Sequence, residues 1–128
     1  MSLKISVVDK GKGAFIIAAE GEIDSDTYKN LEAQLTAAIK QGARLLILNM
    51  EGVDYITSMG ICVILKAKES IEKLGGTFIM TSLQPQIKKV FDIVNVLPTM
   101  KVFASVEEAD RYFGRMQREE MGKGKKAG

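Results

Sequence analysis

Histidine and tryptophan are absent from this chain of 128 residues, cysteine occurs once and proline twice. Without histidine, the side chain that most often moves protons near neutral pH is missing, and zinc loses its usual ligand set. A single cysteine, Cys62, excludes an internal disulfide and suits a reducing compartment. No window approaches the ~20 apolar residues that cross a bilayer. The N-terminus is polar by Lys4 and lacks the basic-then-apolar order of a secretory signal. An excess of one charge sign is also missing. The formal charge is +2, and residues 118–128 supply all of it, with Arg118, Lys123, Lys125 and Lys126 against Glu119 and Glu120. The body before them balances 14 cations with 14 anions, so no net field draws it to nucleic acid or to an anionic membrane. These absences predict a soluble, cytoplasmic protein with no metal site, no nucleic-acid partner and no membrane insertion.

What is present is enough for one core. A hydrophobic content of 46% in a chain of this length predicts a single domain over residues 1–117, followed at 118–128 by the end of a last helix and a disordered basic tail. Leu3 to Val8 and Ala14 to Ala19 read as strands joined by a turn at Gly11-Lys12-Gly13. That turn is too short for a phosphate-binding loop and lacks its Lys-Ser/Thr ending. From Asp24 the period changes: Tyr28, Leu31, Leu35 and Ile39 recur at helical spacing, with Asp24 or Ser25 to cap the start and Gly42 to end it.

Leu45 to Met50 is an apolar run broken only by Asn49, as in a strand buried on both faces. A loop is expected over Glu51 to Thr57. A second helix follows at Ser58 to Leu74, with Gly60, Ile64, Ala67, Ile71 and Leu74 on one stripe, stopped by Gly75-Gly76. Thr77 to Ser82 reads as a strand. Pro85 opens a helix with Ile87, Val90, Phe91 and Val94 on its apolar side, and Pro98 is expected to end that region. Lys101 to Ala104 is a last strand, and Ser105 with Glu108 forms a capping box before Val106, Ala109, Phe113 and Met116. The order predicts an α/β fold: a mostly parallel mixed sheet of about five strands with four main helices, the first strand antiparallel.

Two segments narrow the family. Gly21-Glu22-Ile23-Asp24 leads into the first helix, and Val53-Asp54-Tyr55-Ile56-Thr57-Ser58-Met59-Gly60 leads into the second. Their sequences and spacing, with Leu31 and Leu35 between them, resemble the STAS domain family, and within it the bacterial anti-sigma factor antagonists. The resemblance runs from about Lys4 to Phe113 and includes Gly75-Gly76 and Glu107-Glu108-Ala109. It implies a protein with no catalytic group and no cofactor that binds a kinase-type anti-sigma factor. It also implies phosphorylation at Ser58 and a partner-facing rim at Asp24, Thr57, Ser58, Met59 and Cys62. Three positions depart from the family pattern: Thr57 replaces an aspartate, Met59 a serine or threonine, and Cys62 a common glycine.

Read from the residues alone, each of these positions has a plainer role. Ser58 and Asp24 are preferred helix caps. Cys62 is a small buried hydrophobe, with no histidine to activate it. Thr57 is either a tolerated loop residue or a second phosphate acceptor, and Tyr55, Ile56 and Met59 either fold inward or form an adaptable binding surface. No acid/base pair or activated nucleophile stands out, so an enzyme is the class with least support. A constitutive scaffold subunit of a lipid-transport or signalling assembly is the alternative to the switch. Nucleotide binding has no residue that requires it, and a weak homodimer stays open.

Overall fold

The computed structural model describes residues 2–114. β1 (Leu3–Gly11) and β2 (Ala14–Ile23) form an antiparallel hairpin, and β3 (Leu45–Ile56), β4 (Thr77–Thr81) and β5 (Lys101–Phe103) add to it in parallel. Strand order across the sheet follows chain order, β1-β2-β3-β4-β5. α1 (Tyr28–Lys40), α2 (Ser58–Lys73) and α3 (Pro85–Ile93) connect the parallel strands, a short 3₁₀ turn spans Leu97–Thr99, and a last helix begins at 106 and is described to 114. The expected mixed sheet with four main helices is what the chain adopts. The expected tail at 118–128 and Met116 lie outside the described residues.

Side-chain alternation along the strands divides the interior in two. Phe15, Ile17, Leu46, Leu48, Phe78 and Met80 face α1, α2 and α3, where they meet Leu31, Leu35, Ile64, Ile71, Ile87 and Phe91. Leu45, Ile47 and Ile79 face the other way, under Ala109, Val106 and Phe113 of the last helix. That helix covers part of its face only, leaving a shallow groove of about 510 Å³ over Lys4, Ser6, Ala18, Glu20, Asn49 and Glu51.

Four local expectations are corrected. β3 does not stop at Met50 but continues through Ile56, replacing the expected loop over Glu51 to Thr57. It stays paired to β2 by two irregularities, so that Ala18 faces Asn49, Glu20 faces Gly52 and Ile23 faces Ile56. Beyond Asn49, where β4 ends, side chains satisfy the free edge: Gln84 Nε2 donates to the Glu51 carbonyl at 2.7 Å and Gln86 Nε2 to that of Asp54 at 3.4 Å. Leu74 and Val94 leave their predicted stripes and are exposed, because each falls at a helix C-cap rather than within the helix. Pro98 does not end α3. Asn95, with φ of 58°, does so, and the Val96 N–H bonds back to the Phe91 carbonyl at 3.3 Å. α2 ends by the same device at Gly75, φ +81°, with the Gly76 N–H on the Ile71 carbonyl at 2.8 Å.

Candidate functional site

The site forms where β2 and β3 run out side by side. Ile23 pairs with Ile56, and the Thr57 N–H donates to the Ile23 carbonyl at 2.9 Å, carrying the ladder one residue past the strand. The chain on each side then turns away, into α1 after Asp24 and into α2 after Thr57. The two segments singled out in the sequence are thus neighbours in space.

Asp24 is 7% exposed, and its carboxylate is committed inward. Oδ1 accepts from the Asp26 N–H at 2.9 Å and the Thr27 N–H at 3.1 Å, closing a turn over residues 24–27 just before α1. Thr27 closes the arrangement. Its hydroxyl accepts from the Asp24 N–H at 2.9 Å and donates to the Glu22 carbonyl at 2.7 Å. The expected cap of α1 by Asp24 or Ser25 is thereby corrected: the helix starts at Tyr28 with Thr27 at its N-cap and no side-chain cap bond, and Asp24 holds the turn that leads into it. Thr27 was not singled out in the sequence, although its place three residues after Asp24 carried the signal.

At the second segment the cap falls one residue earlier than expected. Thr57 is the N-cap of α2, with extended backbone at φ −100° and ψ 172°, and Ser58 is the first helical residue. The Thr57 side chain does not cap: Oγ1 turns to the Ile23 carbonyl at 3.4 Å, a long contact. The first helical bond is Ile61 N–H to the Thr57 carbonyl at 3.1 Å, so the N–H groups of Ser58, Met59 and Gly60 meet no protein acceptor among the described residues. Gly60 fixes how closely this end seats on the sheet. A Cβ there would lie 2.6 Å from Ile23 Cγ2 and 2.8 Å from Ile56 Cγ1.

Ser58 is exposed, and so are Met59 and, one helical turn beyond Ser58, Cys62. Cys62 is therefore not the buried hydrophobe expected, because Ile61, Val63 and Ile64 take the inward face of α2. Ile56 folds inward at 5% exposure, whereas Tyr55 at 52% and Met59 at 43% remain in solvent. The rim is acidic. Residues 20–28 carry Glu20, Glu22, Asp24 and Asp26, residues 50–62 carry Glu51 and Asp54, and neither stretch has a lysine or arginine. No group of three or more metal-ligating side chains occurs among the described residues. No described helix is long and apolar enough to cross a membrane.

A five-stranded sheet of this order, with an exposed serine opening the helix after β3, defines a class: the STAS domain, whose family model matches residues 6–109. This chain belongs to that family. Among its relatives is the putative anti-sigma factor antagonist BtrV of Bordetella bronchiseptica, 31% identical over 106 residues, which are 83% of this chain and 91% of BtrV. Another is the anti-sigma F factor antagonist of Lysinibacillus sphaericus, 29% identical over 100 residues, 77% of this chain and 86% of that one. Of solved structures, the anti-sigma factor antagonist SpoIIAA in its unphosphorylated form superimposes with a TM-score of 0.76 at 26% identity, covering 87% of this chain and 97% of SpoIIAA. The Bacillus SpoIIAA in its phosphorylated form gives 0.69 at 27% identity, covering 85% and 99%.

Proposed function

We propose that this protein is the antagonist in a partner switch: unmodified, it binds a kinase-type anti-sigma factor, and phosphorylation of Ser58 releases it. The observation that carries this reading is the exposure of Ser58 as the first residue of α2, beside exposed Tyr55, Met59 and Cys62 and before amides that no side chain caps. The names of its relatives and the existence of a phosphorylated SpoIIAA support it.

Exposed apolar groups supply the contact area, with methionine suited to an adaptable surface. A phosphate added there brings roughly −1.5 to −2 charge onto a rim that holds carboxylates and no cation. No neighbouring arginine or lysine in these two segments can neutralise it, so the open α2 amides receive what they can and the partner meets the rest. Desolvating or repelling that charge by about 3 kcal/mol weakens the complex about a hundredfold. Asp24 acts in this scheme through the backbone, holding the turn at 24–27 next to Thr57. No step requires catalysis by this chain.

The test is calorimetry of the purified protein with its anti-sigma kinase. Wild type and Ser58→Ala bind in the micromolar range or tighter, and Ser58→Asp binds more weakly. No complex with wild type, or equal binding by Ser58→Asp, abandons the switch for a constitutive scaffold.

A further inference from the structure

β1 is the long free edge of the sheet, nine residues bonded to β2 on one side and, among the described residues, to no strand on the other. The opposite edge, β5, has three residues. The Glu22 N–H meets the Ser2 carbonyl at 3.1 Å, and pairing then runs unbroken from Leu3 opposite Gly21 to Asp9 opposite Phe15. Bonded and non-bonded pairs alternate along an antiparallel ladder. Ser2, Lys4, Ser6 and Val8 therefore give their backbone groups to β2, and the N–H and C=O of Leu3, Ile5, Val7 and Asp9 point to the open edge. A row of donors and acceptors at that spacing is matched by another extended strand.

Edges are ordinarily protected by charge, proline or bulges. Here the protection sits at the turn end, in the irregularity between Asp9 and Gly11 and in Lys10 and Lys12. Residues 2–8 contain one charge, Lys4, and no proline, and they leave Val7 44% and Val8 52% exposed. We infer that two copies of this chain pair antiparallel through β1, with Ile5 on the twofold axis. Such an axis stands perpendicular to the sheet and keeps each face continuous, so it sets odd residues against odd ones. Centred on Ile5, Leu3 faces the partner's Val7 and Ile5 faces the partner's Ile5, on the side where Leu3 and Ile5 already pack against the core. Lys4 faces the partner's Ser6 on the other side. Centring on Val7 instead sets Lys4 against the partner's Lys10, and centring on Ser6 sets Leu3 against the partner's Asp9. Charge thus selects the Ile5 register. The interface uses neither Ser58 nor its rim, so it stands apart from the proposed switch.

Sedimentation of the full chain tests the interface. Wild type shows a concentration-dependent dimer, as do Ser58→Ala and Ser58→Asp. Val7→Pro deletes an N–H that β2 does not use, so it keeps the monomer fold while weakening association about tenfold or more. Val7→Lys does the same without touching the backbone. Cross-linking tests the register. Chains carrying Lys4→Cys and Ser6→Cys, each with Cys62→Ser, form a mixed disulfide on mild oxidation, since non-bonded pairs lie about 4.5 Å apart at Cα. A wild type that stays monomeric at millimolar concentration overturns the inference. So does a folded Val7→Lys that dimerises as wild type does, or a Ser6→Cys chain that cross-links to itself in preference to the mixture.

Discussion

Replacing Thr57 by aspartate should stabilise the protein. Thr57 occupies the N-cap of α2 in extended conformation, yet its hydroxyl faces the Ile23 carbonyl at 3.4 Å and leaves the helix end without a side-chain acceptor. An aspartate at this position reaches the N–H of Met59 or Gly60, and a cap bond contributes about 1 kcal/mol. Its charge at the positive helix end adds about 0.3–1 kcal/mol. Repulsion from Asp24, Asp26 and Asp54 on the same rim offsets part of that. Loss of the Ile23 contact costs little, because that carbonyl keeps the Thr57 N–H at 2.9 Å. The net expectation is a gain of about 1 kcal/mol, which raises Tm by about 4 °C. Urea denaturation should show a higher midpoint at unchanged slope. Thr57→Ala, which removes only the long contact, should cost under about 0.5 kcal/mol. A Thr57→Asp variant no more stable than wild type, with Thr57→Ala losing more than about 1 kcal/mol, would refute the reasoning, because the hydroxyl would then be capping after all.

Gly60→Ala should lose about 1–3 kcal/mol by urea denaturation despite alanine's better helix propensity, because its Cβ would meet Ile23 and Ile56 at 2.6 and 2.8 Å. An unchanged midpoint would mean that α2 does not seat on the strand ends. Asp24→Ala should cost about 1–2 kcal/mol and speed amide exchange at Asp26 and Thr27, the two N–H groups its carboxylate holds. Phe91→Ala, at a fully buried site, should lose about 3–5 kcal/mol, whereas Lys10→Ala should change stability by under about 1 kcal/mol because its pair with Asp110 at 3.1 Å is exposed. The same denaturation series measures both.

Regular elements were legible where one local signal agreed with the global fold. Leu31 and Leu35 share the buried face of α1, Pro85 is the first residue of α3, and Ser105 Oγ takes the Glu108 N–H at 3.1 Å, the serine's half of the expected capping box. The far half of β3 was not legible. Gly52 and Asp54 weaken a strand pattern, and what keeps this stretch extended is its pairing with β2 and the side chains of Gln84 and Gln86 at the start of α3, which are distant in sequence. The two site segments could be read as motifs, and the sheet brings them together through Ile23 and Thr57. The cap moved from Ser58 to Thr57 because adjacent residues both have capping side chains, and one-dimensional pattern does not choose between them. The outward turn of Cys62 followed from that helix phase, which also leaves Ser58 exposed.

The measurement that bears most directly on the central claim is phosphosite mapping by mass spectrometry, after incubating the unmodified protein with its anti-sigma kinase and ATP. One phosphate is expected, on Ser58, and none on the Ser58→Ala variant. Phosphate on Thr57 or elsewhere, or none from a kinase that binds the protein, would contradict the account.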